Sequence, residues 1–174
     1  MKDIILFDIN EKLCEEWKKQ FKDYPKVQIK NCSFEELEYE RVVTAGNSFG
    51  WMTGGIDLAV RNYYGIQIQD IIQQYIIFSF SGELPVGENL EIQTSDAKKP
   101  ILIYAPTMRF PSTIDKTDIF FVFAKLLKKY NTFACCGLGT LTGGVSEEEC
   151  AKQMRLAYEY VLKGEKYWLW KKSF

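Results

Sequence analysis

The chain of 174 residues contains no histidine. This absence excludes Ser-His and Cys-His nucleophile pairs, and it excludes imidazole ligands for a metal ion. If the protein is an enzyme, its acid–base chemistry falls to carboxylates, to water or to groups of the substrate. Nothing in the sequence demands a metal, and we expect no cofactor.

Long apolar runs, basic clusters and paired cysteine motifs are missing too. The longest apolar run, from Ile71 to Phe80, is interrupted by Gln73 and Gln74 and falls short of the roughly 20 residues of a membrane span. A net charge of −1 with scattered lysines lacks the basic footprint of nucleic-acid binding. Five cysteines without a C-x-x-C pair favour reduced thiols over a zinc site or disulfides. We therefore expect a cytoplasmic protein with no membrane or nucleic-acid partner; the sequence carries no indication of its oligomeric state.

Apolar strand patterns are interspersed with helical patterns along the chain, which has the length of one domain. Apolar runs at 3–9, 101–105 and 132–136 predict buried strands. Helical periodicity follows Asn10 and Ser146, which both suit helix N-caps. The β-α-β start favours parallel pairing. We expect one α/β domain over residues 1–174, with a mixed and mostly parallel sheet.

Two further expectations concern less regular segments. Pro106 should end the central strand that begins at Ile101. The aromatic tail, 167–170, should be a short strand or a flap over the core.

A glycine pair lies between a strand and a helix in the middle of the chain. Val42 and Val43 suit the end of a buried strand, Asn47 follows, and a helical pattern starts at Ile56, after Gly54 and Gly55. Glycines let the backbone approach a ligand, and a helix N-terminus suits a phosphate. This stretch indicates a phosphate-containing small molecule, or else a structural turn in which Asn47 bonds its own loop.

A second glycine-rich loop, 137–144, again connects a buried strand to a helix. Two such loops in one small α/β domain can line one crevice at the carboxyl edge of the sheet. The pair, together with Asn47, strengthens the prediction of a phosphate site.

These motifs resemble the macro domain family, the ADP-ribose-binding fold, and especially its bacterial and viral branch. The resemblance covers about residues 27–160. It is carried by Val43-Thr44-Ala45-Gly46-Asn47-Ser48, Gly54-Gly55-Ile56-Asp57-Leu58-Ala59, Ala105-Pro106-Thr107-Met108-Arg109-Phe110-Pro111, and Gly137-Leu138-Gly139-Thr140 with Gly143-Gly144. It implies a three-layer α/β/α sandwich with a cleft for ADP-ribose.

The resemblance also implies roles for individual residues. Asn47 and Asp57 would be catalytic, with Asn47 bonding the distal ribose and Asp57 positioning or activating water. Backbone N–H groups of residues 140–144 would hold the diphosphate. The implied ligand-binding residues are Ala45, Gly46, Asn47, Gly54, Gly55, Ile56, Met108, Arg109, Gly137, Gly139, Thr140, Leu141, Thr142, Gly143 and Gly144.

The sequence departs from the family pattern at three places. No acid stands at 31–33, where the family usually reads the adenine amino group. Leu141 replaces a glycine after Thr140, and Gly46 stands where many members have alanine.

Several functions fit this resemblance. The leading hypothesis is hydrolysis of an ADP-ribosyl ester linkage, as in mono-ADP-ribosyl hydrolases or O-acetyl-ADP-ribose deacetylases, so the expected partner is ADP-ribose or an ADP-ribosylated substrate. The alternatives are a non-catalytic ADP-ribose or nucleotide reader, an ADP-ribose 1″-phosphate phosphatase, and a degenerate fold used for protein contacts. Arg109 could pair with a diphosphate or anchor its loop. Three aromatic residues could stack on a ligand or pack in the core: Phe49, Trp51 and Phe110.

Overall fold

A computed structural model of the chain describes residues 2–164. The expected strand or flap at 167–170 lies outside the described residues. The strands and helices follow one another in the order that the apolar pattern predicted. In chain order they are β1 (Asp3–Asp8), α1 (Glu11–Gln20), β2 (Val27–Asn31), β3 (Arg41–Asn47), α2 (Gly55–Tyr64), α3 (Gln67–Phe80), β4 (Leu90–Gln93), β5 (Ile101–Met108), α4 (Lys116–Lys129), β6 (Thr132–Cys135) and α5 (Glu147–Lys163).

One sheet contains the six strands in the order β2-β1-β6-β3-β5-β4. Neighbouring strands are parallel, except that β4 runs antiparallel to β5. In β1, Ile4 and Leu6 pack on one face, and Ile5 and Phe7 pack on the other. A strand covered on both faces needs such a continuous apolar run. The prediction of a mixed, mostly parallel sheet is confirmed.

Helices cover both faces of the sheet. One buried cluster joins the sheet to α1, α4 and α5, and a second joins it to α2 and α3. The three-layer α/β/α sandwich is therefore confirmed. Of the helices within residues 2–164, none has the length and apolarity that crossing a membrane requires.

Most helix starts are closed by a side chain. The side chains of Asn10, Asp115 and Ser146 each accept a hydrogen bond from a backbone N–H of the first turn of α1, α4 and α5. Helices α2 and α3 follow Gly54 and Ile66 and have no capping side chain. At the site, the start of α2 is the one that matters. The first N–H groups of α2 are left without an intrahelical or capping partner.

The prediction that the central strand ends at Pro106 is wrong. Strand β5 continues to Met108, and Pro106 pairs with Gly46 of β3. Pairing with β4 stops at Tyr104, and the carbonyl of Pro106 accepts from the N–H of Gly87 on that side. Residue 106 thus lies beyond the part of β5 that pairs with β4, so the missing N–H of proline removes no hydrogen bond between strands.

Candidate functional site

The carboxyl ends of four parallel strands meet at one cavity. Strands β1, β3 and β5 reach it through Asp8, Asn47 and Met108, and Cys136 follows β6. In the sheet, the connection from β1 to β2 runs toward one edge, and the connection from β3 to β5 runs toward the other edge. Open α/β sheets bind ligands where the strand order reverses in this way. The cavity has a volume of about 680 Å³, which suits a nucleotide-sized ligand.

Most of the residues singled out in the sequence lie in the cavity wall, although they are spread over a hundred positions. The fold thereby brings the two glycine loops together around one space. The wall includes Ala45, Gly46, Asn47, Gly54, Gly55, Ile56, Asp57, Met108, Gly137, Gly139, Thr140, Leu141, Thr142 and Gly143.

Arg109 and Gly144 are not among the wall residues. The guanidinium of Arg109 donates from Nε and Nη2 to Glu83 Oε1 and Oε2, at 2.6 and 2.9 Å. This two-bonded ion pair ties the loop after β5 to the turn after α3. The structure thus has Arg109 in the loop-anchoring arrangement rather than at the cavity.

Backbone N–H groups are the main donors that the two loops offer. Within residues 2–164, the N–H groups of residues 140–143 have no hydrogen-bond acceptor. Gly55 and Ile56 begin the uncapped helix α2. The loop is too tight for a side chain at Gly143, whose Cβ would lie 2.5 Å from the carbonyl oxygen of Gly139.

The cavity wall contains no lysine or arginine among the described residues. An anion there would be held by backbone N–H groups and by the positive end of α2. Helix N-termini and glycine-rich loops bind phosphates in this way.

The side chain of Asn47 is bonded within its own loop. Its Oδ1 accepts from the N–H of Phe49 and of Trp51 at 3.1 and 3.2 Å, and its Nδ2 donates to the Trp51 carbonyl at 2.8 Å. The amide nitrogen carries two hydrogens, so one remains for an occupant of the cavity. Asn47 therefore shapes its loop and still borders the cavity.

Asp57 lies in the first turn of α2 and is 3% exposed. The hydroxyl of Thr44 on β3 donates to its Oδ1 at 2.6 Å. Burial raises the pKa of Asp57 to about 8, and the hydrogen bond from Thr44 opposes part of that rise. The carboxyl group is mostly uncharged at pH 7, which lessens its repulsion of an anionic ligand. Thr44 stands in a sequence motif, but no role was expected for its side chain; the signal was a polar residue inside an apolar strand.

Asp57→Asn should make the free energy of unfolding less sensitive to pH. The pKa of Asp57 rises from 3.8 to about 8 in the folded chain, so the folded state binds the proton more tightly. The contribution of this group is fully present below about pH 4 and is lost as the pH rises through about 8. Asn keeps an acceptor for Thr44 and has no proton to lose. In urea titrations, the stability of the variant relative to the natural chain should rise by about 4 kcal/mol from pH 4 to 7. A constant difference over this range would contradict the buried, protonated Asp57.

The turn after β2 forms the wall beside the strand ends. Ser33 N–H donates to Glu36 Oε2 at 2.9 Å, and Glu36 N–H donates to Ser33 Oγ at 3.3 Å, the reciprocal bonds of a capping box. The Nζ of the buried Lys99 lies 5.2 Å from the ring centre of Phe34 and donates to the Glu35 carbonyl at 3.4 Å. These hydrogen bonds and the contact with Lys99 thus hold the turn in place.

Asp8 is a wall residue that sequence reasoning missed. It pairs with Asn31 across β1 and β2, beside the segment that lacks the expected acid. Its Oδ1 accepts from the N–H of Asn10 at 2.9 Å, and its Oδ2 accepts from that of Gly137 at 3.1 Å. Asp8 therefore fixes the start of the second glycine loop. The signal available in the sequence was a carboxylate one residue before the end of the first apolar run.

Leu141 leaves the backbone of its loop undistorted. Among residues 2–164, Ser81 is the one residue other than glycine with a positive φ, so position 141 does not require glycine. The side chain is 73% exposed, and its Cδ1 would lie 3.4 Å from a Cβ on Gly55. Leu141 thus reaches from one glycine loop toward the other.

Solved structures with a similar fold are macrodomains. That of Mycobacterium tuberculosis DarG has 18% identity and a TM-score of 0.60, over 75% of this chain and 88% of that one. A variant of the Oceanobacillus iheyensis macrodomain with ADPR has 16% identity and a TM-score of 0.62, over 74% and 75%. Thermosipho africanus DarTG in complex with ADP-ribose has 13% identity and a TM-score of 0.62, over 91% of this chain and 50% of that one. No family model and no curated protein matches the chain. Likeness at these identities shows the fold, and the expected macro domain fold is confirmed.

Proposed function

We propose that this chain, which has the macro domain fold, binds ADP-ribose or an ADP-ribosylated substrate in the cavity at the ends of its strands. The observation that carries this proposal is that two sets of unpaired backbone N–H groups border one cavity of about 680 Å³. They belong to the start of α2 and to residues 140–143. Such groups bind a diphosphate without a cation. Two solved structures of the same fold hold ADP-ribose, which supports this ligand.

We extend the proposal to hydrolysis of an ADP-ribosyl ester on an acidic side chain. A water oriented by Asn47 and Asp57 would attack the anomeric carbon of the distal ribose. The new bond joins that carbon to the water oxygen, and the bond to the ester oxygen breaks. The acidic side chain leaves as a carboxylate, and the proton of water passes to ionised Asp57 or to the substrate phosphate. This chemistry suits a chain without histidine.

The second candidate is a reader that binds ADP-ribose without chemistry. It is favoured by the hydrogen bonds that these two side chains already make: Asn47 Nδ2 donates one of its two hydrogens to Trp51, and Thr44 donates to Oδ1 of Asp57. The lack of an acid at 31–33 favours it too, or favours another nucleotide. A third candidate, an ADP-ribose 1″-phosphate phosphatase, would release phosphate steadily from that compound.

Calorimetric titration with ADP-ribose tests the ligand. We expect micromolar binding, weakened at least about tenfold by Asn47→Ala, since that change removes the donor and frees the loop at Phe49 and Trp51. Asn62→Ala is the matched control, because Asn62 is exposed on α2 and lies outside the cavity wall. Thermal melting should show both variants folded. No heat with the natural chain would reject ADP-ribose as the ligand.

Two further proposals concern the domain organisation of the chain and its location in the cell. We propose that residues 1–174 form one macro domain and that it acts in the cytoplasm. Reduced thiols favour that location, and all five cysteines are free in the structure.

A further inference from the structure

Three aromatic side chains form an exposed surface near Asn47. Phe49, Trp51 and Phe110, the aromatic rim, have ring centroids 4.9–6.2 Å apart and planes within 36° of one another. Trp51 is 42% exposed and Phe110 is 43% exposed. Large aromatic side chains in contact with one another and with water are typical of recognition surfaces.

The aromatic rim begins where the cavity ends. The backbone N–H and carbonyl of Trp51 both bond the side chain of Asn47, and Trp51 and Pro111 are wall residues. Phe110 lies next to that wall without being part of it. If Asn47 binds the distal ribose, as the proposed function requires, a group attached to that ribose must leave the cavity past the aromatic rim.

The aromatic rim carries no free positive charge. The guanidinium carbon of Arg109 lies 4.9 Å from the ring centre of Phe110, but both oxygens of Glu83 already neutralise it. The cavity wall beside it contains no lysine or arginine among the described residues. A nucleic-acid strand needs cations for its phosphates, whereas an apolar aromatic side chain needs none.

We propose that the aromatic rim is a second subsite of the substrate cavity, which takes an aromatic side chain of a protein substrate beside the ADP-ribosylated residue. This inference rests on the proposed function and names its substrate class. An aromatic contact of this kind strengthens binding by about three- to tenfold beyond the area it buries. It therefore adds specificity for the neighbouring residue and leaves the ADP-ribose contacts as they are.

The test uses two synthetic peptides that carry ADP-ribose through a non-hydrolysable amide linkage and differ only by Tyr or Ala next to the modified residue. The natural chain should bind the Tyr peptide about three to ten times more tightly. Phe110→Ala should remove this preference and keep the affinity for free ADP-ribose. Phe78→Ala is the matched control, because Phe78 is exposed on α3; it should keep the preference.

Each of the following results would overturn the proposed subsite. Equal affinity for the two peptides, or a preference that persists in Phe110→Ala, means that the aromatic rim does not contact the substrate. Tighter binding of an ADP-ribosylated single-stranded oligonucleotide than of either peptide assigns the rim to a nucleobase instead. If free ADP-ribose fails to bind the natural chain, the proposed function fails, and the subsite fails with it. Binding of ADP-ribose without a peptide preference rejects the subsite alone.

Discussion

Asp57→Asn should lower the rate of hydrolysis of an ADP-ribosylated glutamate peptide by about 10²–10⁴-fold, the usual effect of losing a general acid or base. The binding of ADP-ribose should change little, because Asn keeps the acceptor that Thr44 Oγ1 meets at 2.6 Å in the natural chain. Asp57→Ala, which removes the carboxyl group entirely, should abolish turnover. It also leaves the buried Thr44 hydroxyl without its acceptor, so that variant should lose stability too.

The pH dependence of kcat/KM gives the sharper test of the role of Asp57. Burial raises its pKa to about 8, and only the ionised carboxylate can accept a proton from water. The enzymatic rate should rise about tenfold per pH unit below pH 8 and level off above it, since kcat/KM reports groups of the free enzyme. Blanks without enzyme remove the spontaneous hydrolysis of the ester at alkaline pH. Turnover by Asp57→Asn at the natural rate, or a flat profile from pH 6 to 9, would exclude Asp57 as the base and favour the substrate phosphate.

The sequence was sufficient to predict the frame of the molecule, because its signals are local. The continuous apolar run at 3–9 marks a strand covered on both faces, and Asn10 and Ser146 mark helix starts through bonds within one turn. The two glycine loops could also be placed together, since parallel strands end at the same edge of a sheet. Position in the chain and strand direction were enough for these predictions.

The chemistry of individual groups depends on contacts between distant segments, which the sequence does not display. The environment of Asp57 depends on Thr44, and the fixing of the second loop depends on the bond between Gly137 and Asp8. The sequence did not decide whether Arg109 pairs with a diphosphate or anchors its loop, because its partner Glu83 lies 26 residues away. Pro106 was misread because a proline tolerated at an open sheet edge looks the same in sequence as one that ends a strand.

Gly46 shows how such a distant contact explains a departure from the family pattern. A Cβ at this position would lie 2.1 Å from the hydroxyl oxygen of Tyr104 on β5. That hydroxyl donates to the Asn47 carbonyl at 2.8 Å and accepts from the Asn47 N–H at 3.0 Å. The pairing of β3 and β5 shifts register at this point. The hydroxyl group of Tyr104 therefore occupies the space that a methyl group at position 46 would need. It also hydrogen-bonds the backbone N–H and carbonyl of Asn47.

Gly46→Ala should destabilise the fold by about 3–5 kcal/mol, because the new methyl group overpacks the core and displaces the buried hydroxyl from Asn47. Gly54→Ala is the matched control: its Cβ meets no atom within 4 Å, so its stability should change by less than about 1 kcal/mol. Tyr104→Leu opens the space but leaves the Asn47 backbone unpaired. Urea unfolding of the double variant, Gly46→Ala with Tyr104→Leu, should therefore show at least about 1 kcal/mol less destabilisation than the sum of the two changes. Additive effects would mean that the two residues do not compete for one space, and that glycine at position 46 has another cause.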